Sequence, residues 1–106
     1  MENSPLNKLQ QLMTITMEEC GELTQQCSKT MRKFDTVEAA LEDNERAVVN
    51  RSKLVEEAGD VLCMIELMVA HGLMTHDELS NRVAVKLEKL KTWSDLIAED
   101  SMENLG

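Results

Sequence analysis

From Leu6 to Gly106 the chain contains no proline, and it has only four glycines in 106 residues. A sheet of short strands needs frequent turns, and proline and glycine are the residues that most often mark them. The sequence therefore predicts an all-α fold with a few long helices. Aromatic residues make up 2% of the chain while methionine supplies 8 residues, so aliphatic side chains have to fill the single modest core that this length allows.

The first helix is predicted over residues 5–33, because Ser4 is a good N-cap and Pro5 suits the first helical position. Apolar side chains then recur at steps of three, four or seven residues, which predicts one buried face. That face comprises Leu6, Leu9, Met13, Thr16, Cys20, Cys27, Met31 and Phe34.

Residues 35–50 lose this period and are rich in acidic side chains and asparagine. They are expected to form a connection, with one short helical turn around residues 37–41. Residues 95–106 are acidic and aperiodic as well. We therefore expect one domain over residues 1–94, followed by a flexible tail.

The second helix is expected to begin at an N-cap on Asn50 or Ser52 and to end near His71, where Gly72 supplies a C-terminal stop. Its second half is apolar almost all round, which requires cover on several sides. Self-association would provide that cover. We expect an antiparallel helical bundle whose four-helix core is completed by oligomerisation, as a homodimer or a homotetramer.

A third helix is predicted from Thr75 and Glu78, which have the spacing of a capping box. Side chains at helical spacing then predict its buried face. These are Leu79, Val83, Leu87 and Leu90.

Charge and cysteine content exclude several classes of function. A net charge of −9 disfavours nucleic acid or an anionic membrane surface as a partner. The three cysteines contain no CxxC pair, which favours free thiols over a disulfide framework or a zinc site. The N-terminus lacks the plan of a signal peptide and no apolar run is long enough to span a bilayer, so a cytoplasmic location is expected.

Two acidic pentapeptides, EECGE at residues 18–22 and EEAGD at residues 56–60, follow the same pattern. On a helix, residues three apart share a face, so Glu19 lies beside Glu22 and Glu57 beside Asp60. An antiparallel pairing of the first two helices can bring the two pairs opposite each other. The glycine in each pentapeptide would then let a backbone or a ligand come close.

The simplest alternative is that these acids are merely exposed to solvent. For the first pentapeptide taken alone, this explanation is as good as a functional one. In the second, Glu57 and Asp60 share a helix sector with apolar residues, where carboxylates are costly unless they are paired or bind metal. Lys29 and Lys53 are the basic residues in reach, too few to neutralise four to six acids. The surplus of negative charge predicts Mg²⁺ or Mn²⁺, hard cations that take oxygen ligands and also bind phosphate.

A di-iron carboxylate bundle also uses inward-facing glutamates, but it requires Glu-x-x-His on its helices. The two histidines, His71 and His76, stand at predicted helix ends and outside that spacing. Both are interpreted as helix-end residues rather than ligands.

The double acidic motif resembles that of the MazG-like all-α nucleoside triphosphate pyrophosphohydrolases. The segments EECGELTQQCSK, MRKF, KLVEEAGDVLCMIELMV and VAVKLEKLKTW are similar to that family over about residues 9–93. The resemblance implies Mg²⁺-dependent cleavage of an NTP or dNTP between the α and β phosphates, by a dimer or a tetramer. The segment between the two acidic pairs, residues 23–56, is longer than the corresponding segment in the more compact members of that family. Residues 35–50 are therefore interpreted as an insertion, which leaves the choice of substrate open.

The resemblance also implies roles for individual residues. The metal ligands would be Glu19, Glu22, Glu57 and Asp60. Glu18 and Glu19 would be catalytic, with Glu18 orienting or deprotonating a metal-bound water. Lys29, Lys53 and, more weakly, Lys86 are candidates for binding the substrate phosphates. Two alternatives stay open: a phosphoribosyl-ATP pyrophosphohydrolase of the same fold, and a non-enzymatic metal-binding helical interaction protein.

Overall fold

A computed structural model describes residues 5–97, and within that range it contains helices and no strand. The all-α prediction is confirmed for this part of the chain. The helices are α1 at Lys8–Lys33, α2 at Val37–Ala40, α3 at Glu45–Ala70 and α4 at His76–Trp93. The chain divides into two compact units, one containing α1 to α3 and the other containing α4. No helix within residues 5–97 combines the length and the apolar character needed to cross a membrane.

The first helix begins later than its sequence suggests. The Asn7 side chain accepts a hydrogen bond from the backbone N–H of Gln10 at 2.8 Å, and the Gln10 side chain accepts one from the Asn7 N–H at 3.0 Å. This reciprocal box satisfies two N–H groups that a helix start otherwise leaves unpaired. The predicted start at Pro5 is therefore wrong, and Ser4 lies outside the described residues. The end at Lys33 is confirmed.

The second long helix begins earlier than expected, because Asn44 serves as its cap. The Asn44 side chain accepts a hydrogen bond from the Ala47 N–H at 2.9 Å. Residues 45–50 are consequently helical, and the predicted start at Asn50 or Ser52 is wrong. This stretch is rich in acidic residues and asparagine, so its composition did not indicate the start of a helix. The regular spacing of its buried residues becomes apparent only when α3 is seen packed against its partner helix.

The connection between the long helices contains the short helix α2, as predicted. The Arg51 side chain on α3 donates hydrogen bonds to the carbonyl oxygens of Ala40 and Glu42 at 2.7 and 3.0 Å. These carbonyls lie at the end of α2, where a helix has no internal donors for them. Arg51 thereby attaches α2 and the chain after it to α3.

Side-chain pairs show that α1 and α3 run in opposite directions. Gln26 of α1 bonds to Asn50 near the start of α3. One turn earlier in α1, Glu22 faces Glu57, and Glu19 faces Asp60, further along α3. Earlier residues of α1 thus meet later residues of α3, as an antiparallel pair requires.

The contact between these helices, here called the seam, uses residues at alternating steps of three and four. Such spacing places one residue per turn against the partner helix. In α1 the buried or half-buried seam residues are Leu12, Thr16, Glu19, Leu23, Gln26 and Thr30, and in α3 they are Ala47, Asn50, Leu54, Glu57, Val61, Met64 and Met68. Among residues 5–97 the buried apolar side chains are Leu12, Ala47 and Met64.

A second apolar stripe on each helix is exposed, and it is here called the apolar side. In α3 it contains Val55, 72% exposed, with Val48 and Leu62 seven residues on either side. In α1 it contains Leu9, Cys20, Cys27 and Met31, the last 80% exposed. At 3.6 residues per turn, each stripe lies roughly 100° beyond the seam in the same rotational sense. In antiparallel helices this places both stripes on one side of the pair, and Glu22 and Asp60 on the other.

The predicted buried face of the first helix is therefore wrong for Leu9, Cys20, Cys27 and Met31, which are exposed, whereas Leu6, Met13, Thr16 and Phe34 are half-buried. Its cysteines and Met31 point away from α3, while the less apolar stripe through Glu19 and Gln26 forms the seam. Polar residues occupy the seam because their partners on α3 are polar at the same levels.

The second unit confirms the predicted start of α4. Thr75 accepts a hydrogen bond from the Glu78 N–H at 3.1 Å, and the Glu78 side chain accepts one from the Thr75 N–H at 2.9 Å. Gly72, with φ at 80°, supplies the left-handed residue after α3 that the sequence indicated. Of the predicted buried positions, Leu79, Leu87 and Leu90 are half-buried, whereas Val83 is 56% exposed, so that assignment is wrong.

Candidate metal centre

Carboxylates from α1 and α3 converge on the side of the pair opposite the apolar side. One carboxylate oxygen each from Glu19, Glu22 and Glu57 lies within 4.8 Å of the other two. Asp60 adds a fourth acid, close enough to Glu19 to share a proton with it. The acids that the two pentapeptides predicted are thus brought together, in two opposed pairs.

The surroundings of Glu19 favour its neutral form. Loss of solvent raises the pKa of Glu19 above its ordinary value, and the negative charges of Asp60, Glu22 and Glu18 raise it further. When protonated, Glu19 can also hydrogen-bond to Asp60. Glu18, although exposed, therefore lies within electrostatic reach of the cluster.

The surroundings of Glu57, on the facing helix, also favour its neutral form. Its pKa is raised first by loss of solvent, then by a hydrogen bond to Glu22 that the protonated form can make, and then by the charges of Glu22, Glu56 and Asp60. Two half-buried acids on facing helices thus each resist ionisation. Groups shifted by burial together with specific charged neighbours are concentrated at functional sites.

These carboxylates have no positive partner within the described part of the chain. The Oε2 atoms of Glu19 and Glu57 are buried and accept no hydrogen bond. No lysine or arginine among residues 5–97 forms an ion pair with either of them, with Glu22 or with Asp60. Buried acceptors without donors are costly in a folded protein. A bound cation would supply the missing charge.

The donor set fits a hard divalent ion. Mg²⁺ takes oxygen ligands at about 2.1 Å, so two ligands of one ion lie no more than about 4.2 Å apart. The three oxygens, at up to 4.8 Å from one another, would need to close by a few tenths of an ångström. Rotation of glutamate side chains provides that adjustment. Carboxylates without histidine or cysteine favour Mg²⁺ or Mn²⁺ over zinc or copper.

The glycines of the two pentapeptides do not bring the α1 and α3 backbones close together, which was one of the two roles that the sequence suggested for them. A Cβ built on Gly21 or Gly59 would meet no atom within 4 Å. Close packing of the α1 and α3 backbones therefore does not explain them, and the structure gives no other account of these two residues.

The three lysines that were predicted to bind phosphate are all exposed, and each lies on a different helix. Lys29 lies on α1 and Lys53 on α3, where it pairs with Glu56 at 3.3 Å. Lys53 does not neutralise the cluster itself. Lys86 is an exposed residue of α4, in the second unit.

Two arrangements of polar and aromatic side chains near the cluster were not anticipated from the sequence. Gln26, Thr30 and Asn50 form a buried hydrogen-bonded group in the seam. The sequence did contain a signal for this group, because its three residues continue the alternating steps of three and four residues on which Glu19 and Glu57 lie.

Arg46 lies over the ring of Phe34, 5.2 Å from its centroid. This contact assigns the half-buried phenylalanine to packing rather than to an open base-binding surface.

The raised pKa values predict an unusual dependence of stability on pH. Glu19 and Glu57 bind protons more tightly in the folded than in the unfolded chain. Their stabilising contribution is complete below the ordinary glutamate pKa of about 4.5, and it is lost as the pH rises through the raised values. In metal-free buffer, Glu57→Gln should therefore gain thermal stability relative to wild type as the pH increases from 4.5 to 8.

Metal should reverse this loss near neutral pH. A cation at 100 times its dissociation constant stabilises the folded state by about 2.7 kcal/mol. Differential scanning fluorimetry with and without Mn²⁺ measures both effects. Glu56→Gln is the matched control, since it removes the neighbouring but exposed acid. Equal pH profiles for wild type and Glu57→Gln would contradict the assignment of raised pKa values to the cluster.

Comparison of the chain with protein-family models, with curated proteins and with solved structures gave no significant match. The likeness to MazG-like enzymes consequently stays a resemblance of motifs. The inference of function therefore depends on the chemistry of the four acids and their surroundings.

Proposed function

We propose that the protein is a Mg²⁺-dependent nucleoside triphosphate pyrophosphohydrolase, cleaving an NTP or dNTP to a monophosphate and pyrophosphate. The observation that supports this most strongly is the convergence of opposed carboxylates from two helices, with buried oxygens that lack any donor. Such a cluster attracts hard cations, and hard cations bind polyphosphates. The motif resemblance supports the same reaction.

Glu19, Glu22, Glu57 and Asp60 would hold the metal, two from each helix. When bound, Mg²⁺ would polarise the phosphoryl oxygens and lower the pKa of an attacking water. Glu18 is exposed and close enough to influence the pKa of Glu19. It can therefore accept a proton from water at the edge of the cluster. The chain's own contribution is thus to position the cation site and to supply one external base.

Lys29 and Lys53 would bind the phosphate tail. Lys29 is seven residues, or about 10 Å, along α1 from Glu22. Lys53 is four residues before Glu57 and is restrained only by an exposed pair with Glu56, which contributes little to stability. Lys29→Ala and Lys53→Ala should each raise KM several-fold with a smaller change in kcat, since they contact a part of the substrate that carries charge throughout the reaction. Steady-state kinetics with the best substrate measures this, with Lys8→Ala as the exposed control.

The reaction itself is tested with a panel of NTPs and dNTPs in the presence of Mg²⁺. The products, separated by anion-exchange chromatography, should be the monophosphate and pyrophosphate, and chelation of the metal should stop their formation. Release of orthophosphate would reject cleavage between the α and β phosphates. Adding phosphoribosyl-ATP to the panel distinguishes the related activity. Mn²⁺ binding without turnover on any substrate would instead indicate a metal-binding interaction protein.

We further propose that two copies pack their apolar sides together, giving a four-helix antiparallel core from two α1–α3 pairs. The support is the small number of buried apolar side chains in the described residues and the apolar stripe that stays exposed on each long helix. A core of this size rarely holds a domain folded by itself. Because the acids lie on the opposite side of the pair, such a dimer leaves both clusters open to substrate.

A further inference from the structure

The buried polar group in the seam, formed by Gln26, Thr30 and Asn50 and here called the polar clasp, lies beside the acidic cluster. Asn50 is 2% exposed and Gln26 is 7% exposed. The Asn50 Oδ1 atom accepts hydrogen bonds from Gln26 Nε2 and from Thr30 Oγ1, both at 3.1 Å. Two amides and a hydroxyl thus occupy positions where a helical seam ordinarily holds aliphatic residues.

The apolar contacts of the seam do not by themselves fix how α1 and α3 are aligned along their length. Seam residues recur every seven positions in both helices. A slip of one heptad, about 10 Å along the axis, would therefore still place aliphatic side chains opposite aliphatic or small ones. After such a slip, Leu23 and Leu54 would each still face a side chain of this kind.

The acids oppose the observed alignment in the absence of metal. Glu22 faces Glu57, and Glu19 faces Asp60, so like charges meet across the seam. Like charges at this range repel each other. A slip would separate them, which means that some other interaction has to favour the observed alignment.

The clasp provides that interaction. A slip of one heptad would move Asn50 away from Gln26 and Thr30 and break both hydrogen bonds that its Oδ1 atom accepts. The Asn50 Nδ2 atom is buried without a partner in the observed alignment, so the preference for that alignment comes from these two bonds. A single buried asparagine is known to fix the alignment of coiled coils. We infer that Gln26, Thr30 and Asn50 are positioning residues, whose hydrogen bonds hold α1 and α3 in the alignment that places Glu22 across from Glu57.

This inference uses the proposed function in one respect only, that the acids form a metal site. The test replaces the clasp with aliphatic residues in the double variant Gln26→Leu/Asn50→Leu. Leucine suits a seam position, so thermal stability should be equal to or greater than that of wild type. Mn²⁺ affinity, measured by electron paramagnetic resonance of the free ion, should nevertheless fall at least tenfold. A residue with a merely structural role would change stability and affinity in the same direction.

Alignment can be measured without metal. Spin labels at Ser28 and Cys63, both exposed and offset by about 20 Å along the pair, report the alignment of α1 and α3, because an axial slip of about 10 Å changes this offset directly. The background would carry serine at the exposed Cys20 and Cys27, and labelled protein would be diluted with unlabelled chains. Wild type should give one distance, and the double variant should add a second population. Gln25→Leu, the same change at an exposed neighbour of Gln26, should leave both the distance and the affinity unchanged.

Each outcome decides the question. A folded double variant with one distance and Mn²⁺ affinity within twofold of wild type overturns the inference. If wild type binds no Mn²⁺, the proposed function fails, and the distance measurement alone decides the role of the clasp. If the double variant does not fold, Thr30→Val decides, because it removes one of the two bonds to Asn50 without changing shape. That variant should lower Mn²⁺ affinity in the same direction by a smaller factor, and an unchanged affinity would reject the clasp.

Discussion

Glu57→Gln is expected to lower kcat/KM for the best nucleotide by at least about 100-fold and to remove most Mn²⁺ binding. Changes in the groups that merely orient a metal ligand commonly cost 10- to 100-fold in affinity or activity, and loss of a ligand should cost at least as much. Glutamine keeps the shape of Glu57 but removes the charge that a cation requires. Steady-state kinetics and Mn²⁺ titration of the same preparation measure the two effects together.

The variant should also be folded, which separates this loss from unfolding. Glu57 is half-buried among like charges, so neutralising it relieves repulsion and should not destabilise the metal-free protein near neutral pH. Glu56→Gln is the control, since Glu56 is adjacent, exposed and paired with Lys53. Its activity should stay within a few-fold of wild type. Equal losses in both variants, or full activity in Glu57→Gln, would remove Glu57 from the metal site.

Local signals in the sequence were sufficient for much of the fold. The box between Thr75 and Glu78 and the stop at Gly72 involve residues a few positions apart, so their hydrogen bonds and backbone angles depend little on the rest of the molecule. The short helix near residue 37 has the same origin, because the Thr36 side chain caps it. Such features follow from a few neighbouring residues.

Helix starts were less predictable where two caps competed. Ser4 followed by Pro5 is a good start, but Asn7 with Gln10 satisfies two backbone groups instead of one. Asn44 similarly begins α3 within a stretch that lacks visible periodicity. Ala47 and Asn50, which extend α3 backwards, are both buried, and Asn50 bonds to Gln26 of α1. Tertiary contact therefore determined that boundary.

The choice of seam could not be derived from hydrophobicity. The stripe through Cys20, Cys27 and Met31 is the more apolar of the two on α1, yet it is exposed in the described structure. The seam instead follows side chains that find polar partners on α3, such as Gln26 with Asn50. Complementarity between helices is a property of the pair, and one helix read alone does not reveal it.

The acidic cluster was more accessible to sequence reasoning than the seam. Two pairs of acids, each at i and i+3, could meet if the helices ran antiparallel, and three of their oxygens do lie within 4.8 Å of one another. The sequence placed Glu19 away from the buried face, whereas in the structure it is a seam residue. The burial of Glu19, and the raised pKa that follows from it, could be predicted only by knowing which face of α1 is buried.

Val55→Lys is expected to dissociate the proposed dimer. Val55 is 72% exposed in the single chain and lies in the middle of the apolar side. If two copies cover that side, the substitution places one ammonium group from each copy in the interface, and an unpaired buried charge costs several kcal/mol. At 1.4 kcal/mol per tenfold, the dissociation constant should rise by at least about 100-fold. Light scattering after size-exclusion chromatography should show wild type at twice the chain mass of 12.0 kDa and the variant at that mass.

Val49→Lys is the matched control, because it makes the same change on the same helix at a residue that is also exposed, at 53%. Val49 lines an open groove with Lys33 and Arg46, on the side of the pair that carries the acids. It should leave the dimer intact. Because the single unit buries so few apolar side chains, Val55→Lys should also lower the melting temperature and reduce activity as the protein is diluted. A wild-type chain that is monomeric and stably folded at micromolar concentration would show that the α1–α3 unit needs no second copy, and the exposed stripe would then require another explanation.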